Sequence, residues 1–118
     1  MSAPQRLAGS KTVWFDRLPR ELDRAVEEFD IASSEAWLKV EQLSQQTEFI
    51  EIEVYGEAAI AEDGKTFAPA TVYADLVYEP GTEEVRFSES FPARVYFDSD
   101  GKTVSIVDID IDTSNIFE

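Results

Sequence analysis

The sequence predicts a single α+β domain in which one or two N-terminal helices pack on a four- to five-stranded antiparallel meander sheet. Three observations carry that expectation. Apolar residues recur at helical spacing from Leu18 to Leu43, the period shortens to two from about Phe49, and short Gly-containing turns join the later segments. With 118 residues and 43% hydrophobic content, the chain can build one real core and is not composed like a disordered acidic tail.

In chain order, residues 1–12 read as a flexible basic leader and residues 13–118 as one acidic domain. Val13-Trp14-Phe15 is the first apolar cluster, fit for a short strand or an anchor on the core. Leu18-Pro19-Arg20-Glu21 reads as a helix start, because proline suits the first turn and Glu21 sits near the positive end of the dipole. Leu18, Leu22, Ala25, Val26 and Phe29 then form one apolar stripe. The pattern falters at Asp30–Ser34, where Ser33 or Ser34 can cap a second helix bearing Ala36, Trp37, Val40 and Leu43. One kinked helix and two separate helices both fit, and the serines favour two.

From Thr47 the alternation is that of half-buried strands. Ile50, Ile52 and Val54 alternate with Glu51, Glu53 and Tyr55, in a strand that can run past Gly56 to Ile60 with the glycine as a bulge. Glu62-Asp63-Gly64-Lys65 is a hairpin turn, and Phe67 to Tyr78 is the next strand. Glu79-Pro80-Gly81-Thr82 turns the chain into Val85–Phe97, read as one long strand or two broken near Pro92. Asp98-Ser99-Asp100-Gly101 leads into Thr103–Asp112. The tetrapeptide Asp-Gly-Lys-Thr occurs at 63–66 and again at 100–103, which reads as two hairpins with the same turn chemistry. The expected core contains Trp37, Val40, Leu43, Ile50, Ile52, Leu76 and Phe97.

Charge dominates the functional reading. The chain holds 25 acidic and 10 basic residues, a net charge of −15, with no histidine and no cysteine. Histidine dyads, cysteine nucleophiles and His- or Cys-ligated metals are thereby excluded. No glycine-rich phosphate loop or Gly-x-Ser-x-Gly context is present, so neither enzyme activity nor a cofactor is expected. Asp98-Ser99-Asp100-Gly101 resembles part of a calcium loop. With Gly101 at the sixth loop position, however, Tyr96 and Val107 fall where carboxylates are required, so no metal is expected. Residues 1–20 hold four basic residues and one acidic, and the remaining 98 hold six basic and 24 acidic, so the body is more acidic than the whole.

The candidate binding face is a pair of carboxylate ladders, Asp108, Asp110 and Asp112 on one strand and Glu51 and Glu53 on another, joined by Asp75. Residues i and i+2 of a strand share a face at ~6.6 Å spacing. That density approaches the one charge per ~3.4 Å of a nucleic-acid strand. The expected function is a small non-enzymatic module that docks on a basic protein surface, in its sharpest form a nucleic-acid mimic. A phage or plasmid inhibitor of a nucleic-acid-binding protein and an immunity protein belong to that class. The alternative is a housekeeping or structural interaction domain whose acidity reflects a salt-adapted proteome. Direct nucleic-acid binding and membrane association are disfavoured by the same field. Without an apolar export signal in its first ten residues, the chain is expected to be cytoplasmic. No oligomeric state is implied.

Overall fold

A computed structural model of the chain describes residues 12–114, and the leader before Thr12 lies outside the described residues. The architecture is α+β, with two helices preceding a mostly antiparallel sheet. Strand β1 (Thr12–Val13) is followed by helix α1 (Leu18–Glu28), a 3-10 turn (Ile31–Ser33) and helix α2 (Glu35–Glu41). Strands β2 (Gln46–Val54), β3 (Ile60–Glu62), β4 (Lys65–Tyr78), β5 (Val85–Asp100) and β6 (Val104–Ile111) complete the chain. Six strands replace the expected four or five, because two short ones join the sheet: β1, which pairs in parallel with β5, and β3, which extends the β4 edge. The remaining strands run β2-β4-β5-β6 in space.

Two helices form, not one kinked helix. Ser34 caps α2, its Oγ accepting the Trp37 amide at 3.2 Å. Pro19 sits in the first turn of α1, where its missing N–H costs nothing. Both helices cover one face of the sheet. Leu18, Leu22, Val26, Trp37 and Val40 meet Val72, Phe91, Val95, Phe97, Ile109 and Ile111, all at most 4% exposed. The middle strand β4 presents Ala68, Ala70 and Ala74 to this layer, small residues that let the helices approach while larger neighbours fill the space. Trp37 packs edge-on against Phe49, ring centroids 5.6 Å apart.

Three expectations change. Ile50 is 52% exposed instead of buried, because a bulge between Phe49 and Glu51 turns it out of the core face. Gly56 does not bulge a continuing strand. β2 ends at Val54, and Gly56 starts a 3-10 turn pressed against α1, where an added Cβ would lie 2.8 Å from the Pro19 Cα. The Asp-Gly-Lys-Thr repeats make different turns. Asp63 and Gly64 both have positive φ (54° and 78°) in a two-residue hairpin between Glu62 and Lys65. In the second, Asp100 Oδ1 accepts the amides of Lys102 and Thr103 at 2.9 and 2.8 Å, with Gly101 at φ 95°.

β5 runs unbroken through Pro92. The Pro92 carbonyl accepts the Asp112 amide at 2.8 Å, on the edge where β6 has just ended. Its missing N–H therefore falls where the ladder stops.

Candidate docking face

The period-two alternation places every residue of the two carboxylate ladders on the sheet face opposite the helices. The register then aligns them in rows. Glu51 lies across from Tyr73, which pairs with Ser90; Glu53 pairs with Thr71, which pairs with Pro92. On the far side Asp110 pairs with Arg94, and Asp108 with Tyr96. Asp112 follows, bonded to Pro92. The ladders thus line opposite edges of one face, three strand spacings or ~14 Å apart. Asp75 lies between them on β4.

Several of these carboxylates are already engaged. Arg86 Nη1 donates to Glu48 Oε1 at 2.8 Å and Asp75 Oδ2 at 3.2 Å, and its Nη2 to Glu84 at 3.2 Å. These partners hold the Arg86 guanidinium more firmly protonated than usual. Ser88 Oγ donates to the other oxygen of Asp75 at 2.8 Å. Lys39 reaches from α2 around the β6 edge to Asp110 Oδ1 and the Ile111 carbonyl, both at 3.3 Å. Glu53 Oε1 accepts the phenols of Tyr55 at 3.0 Å and Tyr73 at 3.3 Å. Partial desolvation, followed by the Glu53 charge, pushes the Tyr73 phenol above its ordinary pKa. Asp112 accepts the Ser114 amide at 2.9 Å, which holds its carboxyl below the usual range. Arg94 stacks on Phe67, 4.6 Å from the ring centroid, and the Tyr96 hydroxyl raises its pKa.

Each edge strand also carries a bulge, and each bulge adds an apolar side chain to the acidic face. Ile50 shares a recess with Glu51, Tyr73, Asp75 and Ser88. Between Asp108 and Ile106 the β6 bulge leaves Val107, 57% exposed, in a recess with Tyr96, Asp108 and Asp110. The open face is therefore not uniformly anionic. It has acidic edges with one aliphatic residue each and a centre of Tyr73, Thr71, Arg94 and Tyr96.

Sequence reasoning missed Glu48, Arg86, Arg94 and the two aliphatics. Arg94 was within reach, since it shares the parity of Pro92 and Tyr96. Ile50 and Val107 were not, because a bulge breaks the parity on which the reading rests. Acids are not confined to this face. Asp23 and Glu27 of α1 meet Glu51 and Glu53 in a shallow recess at the β2 edge, and others occupy turns. Among the described residues no group of three or more acidic side chains is placed to hold a metal ion, and no helix is long and apolar enough to cross a membrane. No protein-family model matches the chain, and no curated protein or solved structure matches it.

Proposed function

We propose that the protein is a non-enzymatic acidic binding module whose open sheet face docks on a basic protein surface. One observation carries this reading: two carboxylate rows flank a tyrosine-bearing centre on a face that no described element covers, with Ile50 and Val107 exposed beside them. Charges at such a face steer encounter and fix register, while exposed aliphatic and aromatic groups supply desolvation energy on contact. The long strand β5, sixteen residues, spans ~53 Å at ~3.3 Å per residue. An elongated face with carboxylates at both edges suits the groove of a nucleic-acid-binding protein, so mimicry of nucleic acid is the sharpest form of the proposal.

The acids of α1 and the turns favour a second reading, in which a salt-adapted proteome makes every surface acidic and the partner is contacted through ordinary apolar groups. Competition separates the two. The module is captured with its basic partner at low salt, and the partner's DNA or RNA is titrated in. Mimicry predicts mutual displacement and an affinity that falls steeply with salt. A ternary complex with nucleic acid still bound would overturn mimicry.

A further inference from the structure

The first half of β5 has an open edge. β6 pairs with β5 from Ser99 back to Ala93, and the Asp112 amide adds one bond at the Pro92 carbonyl. Among the described residues no strand pairs with that edge along residues 85–88. Because the Pro92 carbonyl points at this edge, alternation sends the main-chain N–H and C=O of Arg86 and Ser88 there too, while those of Phe87 turn inward to Leu76 of β4. Val85 and Phe87 stand on the helix side of the sheet, 44% and 50% exposed and outside the packed core. A bare, apolar strand edge is a template for another strand.

We propose that this edge pairs with the same edge of a second copy, in an antiparallel two-fold dimer centred on Phe87. Charge selects that occupant. Residues 85–91 hold one arginine and one glutamate, a neutral stretch on a chain of net charge −15. A basic partner is drawn to the acidic surfaces instead, whereas a second copy meets the least repulsion here. Register follows from symmetry. A two-fold axis perpendicular to the sheet keeps the helix sides together, so only residues of like parity can face each other. Centring on Arg86 would oppose two arginines. Centring on Ser88 would set Phe87 against the partner's Glu89 and drive Glu84 onto the partner's Pro92, whose carbonyl is already bonded to Asp112. Centring on Phe87 stacks it against the partner's Phe87 as a close, non-hydrogen-bonded pair. Arg86 then faces the partner's Ser88, and the two exchange both main-chain bonds. The two Arg86 guanidiniums lie on a diagonal, each already ringed by Glu48, Asp75 and Glu84 of its own chain. An interface confined to one short edge strand belongs to the small, reversible class. It uses neither carboxylate ladder and so stands apart from docking at the open face.

Sedimentation equilibrium of the whole chain tests the dimer. Its Kd should fall at least tenfold between ~0.05 and ~0.5 M monovalent salt, as screening removes the repulsion between two acidic bodies. Docking on a basic partner weakens over the same range, which tells the two interactions apart. Ser88→Pro deletes an outward amide without removing a bond to β4, so it should raise the dimer Kd at least tenfold while melting stays near wild type. Disulfide trapping tests the register, since the chain has no native cysteine. Phe87→Cys sets two thiols across the two-fold axis, ~4.5 Å between Cα atoms and within disulfide range. Val85→Cys, on the same face, sets them ~13 Å apart along the strands. Mild oxidation above the dimer Kd should cross-link the first variant at least tenfold faster than the second. A chain that stays monomeric at every concentration and salt, a dimer untouched by Ser88→Pro, or equal cross-linking of the two cysteine variants would each overturn the proposal.

Discussion

The two faces of the sheet are built from the same strands and differ in almost everything else. On the covered face, β4 offers alanines and Val72, β5 offers Phe91 and Phe97, and two helices close over them. On the open face the alternate residues of those strands are Thr71, Tyr73, Asp75, Arg94 and Tyr96, flanked by Glu51, Glu53, Asp108 and Asp110. The covered face is held by packing, which a missing methylene disturbs. The open face is held by exposed ion pairs and hydrogen bonds, each worth little to the fold. On the proposed reading, stability and recognition fall on opposite sides of single strands. Substitutions one residue apart should have unrelated consequences.

The largest effect is expected on the covered side. Trp37→Ala removes a ring that is 3% exposed and packed edge-on against Phe49, and should cost about 3–5 kcal/mol in denaturant unfolding. A loss below 1 kcal/mol would show that the helices are not seated as described. Gly56→Ala tests the clamp between α1 and the sheet. The new methyl would overlap the Pro19 backbone, so a loss of about 1–3 kcal/mol is expected, as for other overpacked sites. A neutral result would mean α1 has room to move.

The turn that carries β6 out to the acidic edge offers a pH test. Asp100 accepts the backbone amides of Thr103 and Lys102, which lowers its pKa below the ordinary 3.8. Its contribution is thus complete above that value and is lost as pH falls through the lower folded-state pKa. Wild type should exceed Asp100→Asn in stability at pH 6, and the gap should close in the acid limb below pH ~3.8. A gap independent of pH would mean that the carboxylate charge contributes nothing. The smallest effect belongs to the open face. Ile50→Ser and Val107→Ser, though aliphatic strand residues, should change stability by no more than about 0.5 kcal/mol. A loss of 2 kcal/mol at either would erase the distinction between the faces.

Much of this division was legible in the sequence. The change of period near Thr47 marks where helices give way to strands, and Ile109 and Ile111 against Asp108 and Asp110 sort the two faces of β6 without coordinates. The turns at Asp63-Gly64 and Gly101 are equally plain. What sequence alone misplaced depends on longer-range geometry. Ile50 continues a perfect alternation and still leaves the core, because β2 bulges between Phe49 and Glu51. Gly56 looks like a strand irregularity until α1 is seen against it. The engagement of Asp75 by Arg86 and of Asp110 by Lys39 needs the register and the helix position, which no local pattern encodes.

The central claim is that the open face, not negative charge in general, does the binding. It is tested by two charge-matched variants compared for association rate with the captured basic partner at fixed ionic strength. One carries Asp108→Asn, Asp110→Asn, Asp112→Asn, Glu51→Gln and Glu53→Gln. The other removes five acids elsewhere, at Glu28, Glu35, Glu41, Glu57 and Glu83, each changed to Gln. Both have the same net charge. The open-face variant should associate at least tenfold more slowly than the second, with both melting near wild type. Equal slowing in the two variants would contradict the assignment and leave a general acidic field as the whole of the effect.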